Sequence, residues 1–236
     1  MNAVPVAIIA GAGGAGAAAA ASLAGAGYHV VVLNREIEAA QVITDALIAD
    51  GYSSEAHGVD LLDADAVAML RDDLVSRLGR VDVLVHLVGG WRGSPTLDRA
   101  SVDNWIALSP PIVGTLAVLT AVFVDDIRRS DVGRVFMVTS TAAAKPTGGN
   151  IAYASAKAAA EAWMLGVAHV LRDTAASSVT VVVKALLTDE MAAAEPEKAW
   201  PGYTHVRDLA AAITAASTST AANGSRLDLT AEYSGA

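Results

Sequence analysis

The feature that most constrains this chain is its alternation of short apolar runs with longer helix-like segments, sustained from end to end. Apolar runs at residues 4–10, 29–34, one ending near 59, 81–89, 133–140, 178–187 and 225–230 read as strands. Between them, residues 16–27, 36–51, 64–79, 112–129, 151–172 and 206–217 read as helices. The strands are apolar on both faces. Strands of that kind, each followed by a helix, predict a parallel sheet covered on both sides: a doubly wound, three-layer α/β/α fold in a single domain over 1–236.

Local signals agree with this reading. In 36–51, Ile37, Ala40, Ile43, Leu47 and Ile48 fall near one face and Gly51 closes the helix; Asp63 is placed to cap the next one. Residues 188–205 have no clear element. They follow a strand, which puts them at the C-terminal edge of the sheet, where such folds bind ligands, as a candidate lid. Trp200 and Tyr203 could close it, and Trp91, after a glycine pair, could line a pocket; Trp105 is expected in the core. Asp72, Asp73, Asp125 and Asp126 read as solvated helix-face carboxylates.

Hydrophobic residues make up 53% and charged residues 17%, which suits a large core. The net charge of −9, without a dense Lys/Arg cluster, argues against nucleic acid or an anionic membrane as partner. There is no cysteine, hence no disulfide framework, and no His/Asp/Glu set has metal-ligand spacing. The apolar N-terminus lacks a basic segment and is broken by glycines, so a cytoplasmic protein is expected rather than an exported or membrane-spanning one.

The first strand leads into AGAGGAGAAA. Gly11, Gly13 and Gly16 fit G-x-G-x-x-G, and Gly11, Gly14 and Gly16 are an alternative set. Glycines here allow a tight turn and let the backbone approach a pyrophosphate at a helix N-terminus, the Rossmann arrangement; a turn that merely packs helix on strand is the plainer reading. The second strand ends in Asn34 and Arg35 rather than an acidic residue, which suits a 2′-phosphate and favours NADP over NAD.

Tyr153 and Lys157 stand four apart, on one face of the 151–172 helix, and Ser140 ends the strand before it. This set, behind an N-terminal glycine loop, resembles the short-chain dehydrogenase/reductase family over nearly the whole chain. The resemblance implies an oxidoreductase that passes a hydride between a nicotinamide and a small carbonyl or alcohol. It implies Tyr153 as general acid/base, Lys157 holding the nicotinamide ribose and lowering the tyrosine pKa, and Ser140 orienting the carbonyl. Asp60 and Leu61 would meet the adenine, Val88 and Gly89 the cofactor, and Thr188 the carboxamide. The helices 112–129 and 151–172 would make a homodimer or homotetramer.

The chain also departs from the family pattern. His86, Leu87 and Val88 replace Asn, Asn and Ala; His86 is expected to bond to backbone. Pro111 stands where a relay asparagine is usual, and it has neither N–H nor amide. VGGWRG and GSRLDLT are similar to the dihydropteridine-reductase branch, making a pterin one candidate substrate. The non-enzymatic alternative is a nucleotide-binding sensor or scaffold.

Overall fold

A computed structural model describes residues 4–230. Strands β1 (Val6–Ala10), β2 (His29–Asn34), β3 (Ser54–Gly58), β4 (Val83–His86), β5 (Arg134–Ser140), β6 (Ser177–Val183) and β9 (Ser225–Asp228) form one sheet, in the order β3-β2-β1-β4-β5-β6-β9. All six pairings are parallel. The order reverses at β1, whose neighbours β2 and β4 carry the chain to opposite sides, which is where doubly wound folds open a ligand crevice.

Alternation decides which residue faces which layer. In β1, Val6, Ile8 and Ala10 enter one core and Ala7 and Ile9 the other. The first core includes side chains of α3 (Ala64–Leu78), α5 (Thr115–Arg129) and α6 (Ile151–Leu171); the second those of α1 (Gly14–Gly25), α2 (Ile37–Ala49) and α8 (Val206–Thr218). Asp63 caps α3 as expected, accepting from the N–H groups of Asp65 and Ala66.

Several sequence expectations change. Residues 112–129 are the second half of a longer helical run, α4 (Arg99–Ser109) joined to α5 by a π turn at Pro110–Gly114. Two prolines without N–H groups do not end the run; the Thr115 N–H reaches back to the Pro110 carbonyl and widens it instead. Trp105 therefore sits within α4 and is 39% exposed rather than core. This run is also long and apolar enough to cross a membrane by length and composition, but Leu108, Ile112, Leu116, Leu119, Phe123 and Ile127 are core residues on the sheet, which accounts for its apolarity.

Residues 178–187 are two strands, not one. β6 is buried throughout and ends where Lys184 brings an ammonium that cannot follow it into the core. The chain then leaves the sheet, and β7 (Ala185–Leu187) pairs with β8 (Tyr203–His205). Residues 188–205 thus contain β8 and the short helix α7 (Asp189–Ala194). On α2, Ile48 is exposed; Ala40, Ile43, Thr44 and Leu47 make the buried face. Asp126 is not solvated: it is buried, and Arg71 donates to both its oxygens at 2.7 and 2.5 Å.

Candidate active site

The strand ends gather the candidate residues at one edge. Register pairs Ala10 with His86, His86 with Met137, and Ser140 with Val183. The glycine loop, residues 87–91, Ser140 and Lys184 therefore emerge side by side. A cavity of about 730 Å³ opens among them, lined in part by Ser140, Tyr153, Lys157, Val88 and Gly89.

Ser140 holds the turn after β5. Its hydroxyl accepts from the Ala142 N–H and donates to the Lys184 carbonyl, both at 3.3 Å. Tyr153 faces it from the first turns of α6. Burial holds the Tyr153 phenol above its ordinary value near 10, and the neighbouring Ser140 hydroxyl offsets part of that rise. The expected lowering by Lys157 is not seen: the Ser140 hydroxyl alone lowers the phenol, burial outweighs it, and the Lys157 ammonium lies 5.9 Å from the ring centroid. Lys157 is itself buried and donates to the Val138 carbonyl at 2.8 Å. Burial pushes its ammonium down to about 8, while the charge of Glu161, one turn farther along the helix face, pulls it up. Glu161 is fixed in turn by the Thr139 hydroxyl at 2.7 Å and by an ion pair with Arg226.

The glycine loop is as tight as its composition requires. Gly11 has φ +107, and a side chain there would press on the Leu87 carbonyl. A Cβ on Gly16 would stand 2.0 Å from the Gly11 oxygen, and one on Gly14 would be 3.0 Å from the Thr188 methyl. Gly13 alone faces open space, at the start of α1, where no side chain caps the first N–H groups. N–H groups without a side-chain cap, a bend built only of glycine and alanine and a buried ammonium in the adjoining cavity fit a dinucleotide.

Other candidates stand at the margin. Asn34 and Arg35 border the loop end of β2, where Asn34 Nδ2 donates to the Glu36 carbonyl and the exposed Arg35 guanidinium pairs with the Glu36 carboxylate at 3.1 Å. The Val59 N–H donates to the Asn34 carbonyl, bringing Asp60 alongside. The Asp60 carboxylate accepts from the Leu62 N–H, and the Leu61 side chain is core. Thr188 caps α7 rather than lining the cavity.

His86 differs from its expected backbone contact. Its Nε2 meets the Thr115 hydroxyl at 2.8 Å, and that hydroxyl donates to the Pro111 carbonyl at 2.7 Å. With the Thr115 proton committed, Nε2 is the donor and the ring is neutral. Burial, helped by the Lys157 charge, holds its pKa down at about 3. The π turn is thus clasped by a side chain two elements away, and the Pro111 carbonyl is occupied.

Trp91 and Tyr203 line the cavity; Trp200 instead packs edge-on against Tyr203. Lining residues that were not among the sequence candidates include Lys145, Asn150 and Lys184. A lysine breaking an apolar strand was the available signal for Lys184; Lys145 and Asn150 gave none beyond lying in a loop at the right edge.

The short chain dehydrogenase family profile matches residues 5–199. The 7alpha-hydroxysteroid dehydrogenase of Escherichia coli is 29% identical over 168 residues, 71% of this chain and 65% of that protein. The chain spans about half the length of the first curated relatives it matches. Among solved structures, a metagenomic short-chain oxidoreductase in complex with NADP is 25% identical, with a TM-score of 0.76 over 95% of this chain and 96% of that one. An NAD+-bound xylitol dehydrogenase shares the fold at 19% identity, with a TM-score of 0.81 over 95% and 97% of the two chains.

Proposed function

The chain belongs to the short-chain dehydrogenase/reductase family, and on that premise we propose that it is an NAD(P)-dependent oxidoreductase interconverting a small carbonyl compound and its alcohol, with Tyr153 as the general acid/base. The observation that supports this most is the convergence of Ser140, Tyr153 and Lys157 on one cavity beside a tight glycine bend. Intact chemistry at three positions favours an enzyme over a sensor or scaffold.

A bound dihydronicotinamide supplies the hydride. Gly11, Gly13, Gly14 and Gly16 would make room for its pyrophosphate, Val88, Gly89 and Lys157 would hold the nicotinamide side, and Thr188 borders the loop. In the reducing direction, the carbonyl carbon gains a hydride and the oxygen gains the Tyr153 proton, giving the alcohol. Ser140 donates to that oxygen, and solvent restores the tyrosine proton. Residues 188–205 reach the cavity through Tyr203 and act as its lid. The neutral, buried His86 keeps the π turn closed, so the proton path runs without the Pro111 carbonyl.

NADP is the cofactor this reading favours, because Asn34 and Arg35 close β2 without a carboxylate of their own; Glu36 competes for the guanidinium. The test is the purified chain with NADPH or NADH against a panel of aldehydes, ketones, quinones and quinonoid pterins. Turnover should prefer NADPH, and Arg35→Asp should cancel the preference. Binding of either nucleotide without turnover across the panel would favour the sensor reading.

Lys157 gives a pH dependence. Its ammonium is charged below about 8 and neutral above. Reductive kcat/KM should therefore fall as pH rises through that value, and Glu161→Gln, which removes the charge opposing the loss, should move the fall to lower pH. An alkaline limb unmoved in that variant would take Lys157 out of the reaction.

A cytoplasmic, homo-oligomeric protein completes the reading. An apolar groove between α5 and α6, lined by Val124, Ala159, Trp163, Val167 and Val170, is the surface a second copy would cover. Light scattering giving a monomer mass would remove this part.

A further inference from the structure

The charge around the cavity is opposite to that of the molecule. The chain has 25 acidic residues against 16 basic ones and only four lysines. Three of those four, Lys145, Lys157 and Lys184, line this one cavity, and no aspartate or glutamate lines it among the described residues. The fourth, Lys198, is paired with Glu195 at 2.8 Å and stacked on Trp200. None of the three cavity lysines has a carboxylate within 4.0 Å among the described residues.

Their placement is specific. Lys184 follows β6 directly, beside Ser140 on the adjacent strand, whose hydroxyl donates to its carbonyl. Its ammonium reaches across to the Pro201 carbonyl at 3.1 Å, and its stem lies against Gly202, under the segment that carries Tyr203. Lys145 stands on the turn after β5, its N–H bonded back to the Thr141 and Ala142 carbonyls. Both lysines are exposed and line the same cavity as Ser140 and Tyr153, with Trp91, Leu186 and Tyr203 also in its lining. A low-dielectric cleft lined by one sign of charge focuses its field on a ligand of the other sign. A lysine ammonium is a point charge that takes a carboxylate in many orientations.

We propose that the substrate is an anionic carbonyl compound, one bearing a carboxylate, held by Lys145 and Lys184 with its carbonyl at Ser140 and Tyr153. This rests on the oxidoreductase reading for the reaction, though not for the binding. The charges would otherwise serve the phosphates of the dinucleotide, and the experiment separates the two.

The probes are 4-formylbenzoate and its methyl ester, which share a carbonyl and differ in charge. With NADPH, the acid-to-ester ratio of kcat/KM should exceed roughly tenfold, the worth of one charge-assisted contact, and shrink at high salt. Lys145→Gln and Lys184→Gln should each cut that ratio by about tenfold, with NADPH affinity moving far less. A ratio near one in the unmodified chain, or one that neither variant changes, overturns the proposal. So does a loss of NADPH affinity matching the loss of acid turnover, which would assign the lysines to the cofactor. If neither probe is reduced, the oxidoreductase reading is still decided by the wider panel, and binding alone is read for the anion site. Calorimetric titration then decides: tighter binding of the acid than the ester, lost in both variants, supports the anion site, and equal binding overturns it.

Discussion

Tyr153→Phe is expected to lower turnover by about two to four decades, the usual worth of a positioned general acid, while NADPH affinity and melting temperature stay close to those of the unmodified chain. The ring remains, so its packing against the core remains. Among the described residues, the protein group that acts on the phenol is the Ser140 hydroxyl, which keeps partners of its own in the Ala142 N–H and the Lys184 carbonyl. Losing one such contact costs about 1 kcal/mol. Steady-state rates on any substrate of the panel, with NADPH titration and a melting curve alongside, give all three readouts. A variant that keeps full rate would remove Tyr153 from the chemistry. One that loses NADPH affinity and stability together would make the residue structural. Ser140→Ala should do less: it removes a donor to the substrate oxygen but leaves the proton source in place.

The parts legible in the sequence are those governed by short-range rules. Alternating burial in β1 follows from side-chain geometry, and the Asp63 cap needs only two N–H groups of the next turn. Helical spacing puts Tyr153 and Lys157 on one face, and the family resemblance added Ser140 at the strand end before them. What escaped depended on partners distant in sequence. Asp126 reads as a surface carboxylate until α3 delivers Arg71 to it from 55 residues away. The helix was expected to begin at 112, after the double proline, yet the prolines lie inside a longer helical run whose turn Thr115 and His86 close from two sides. Lys157 was expected to acidify the tyrosine; the surrounding core lowers the lysine and raises the phenol instead, a balance of burial against charge that spacing does not encode. The cationic lining gathers side chains from the turn after β5, from α6 and from the end of β6, and only the assembled edge makes them one surface.

Two glycine replacements should fail in different ways, and the difference tests where the dinucleotide lies. Gly16→Ala places a methyl 2.0 Å from the Gly11 oxygen, a backbone atom that moves only if the loop moves. Overpacking of this kind costs about 1–3 kcal/mol. The melting temperature should fall, and because the shift displaces the amides at the start of α1, NADPH affinity should fall with it. Gly13→Ala is the informative partner. Its φ of −80 suits alanine, and the new Cβ meets nothing within 4 Å. Folding should cost at most about 1 kcal/mol, the scale of a changed N-cap residue. The open space is where a pyrophosphate must approach the backbone, so the same methyl should weaken NADPH by roughly tenfold or more, since each 1.4 kcal/mol of lost contact is a factor of ten. Melting curves and fluorescence titration of both variants would read this. Reduced affinity at a preserved melting temperature in Gly13→Ala places the ligand on the loop. Unchanged affinity there would mean that the glycines serve only to pack α1 on β1, and the cofactor assignment would fall with them.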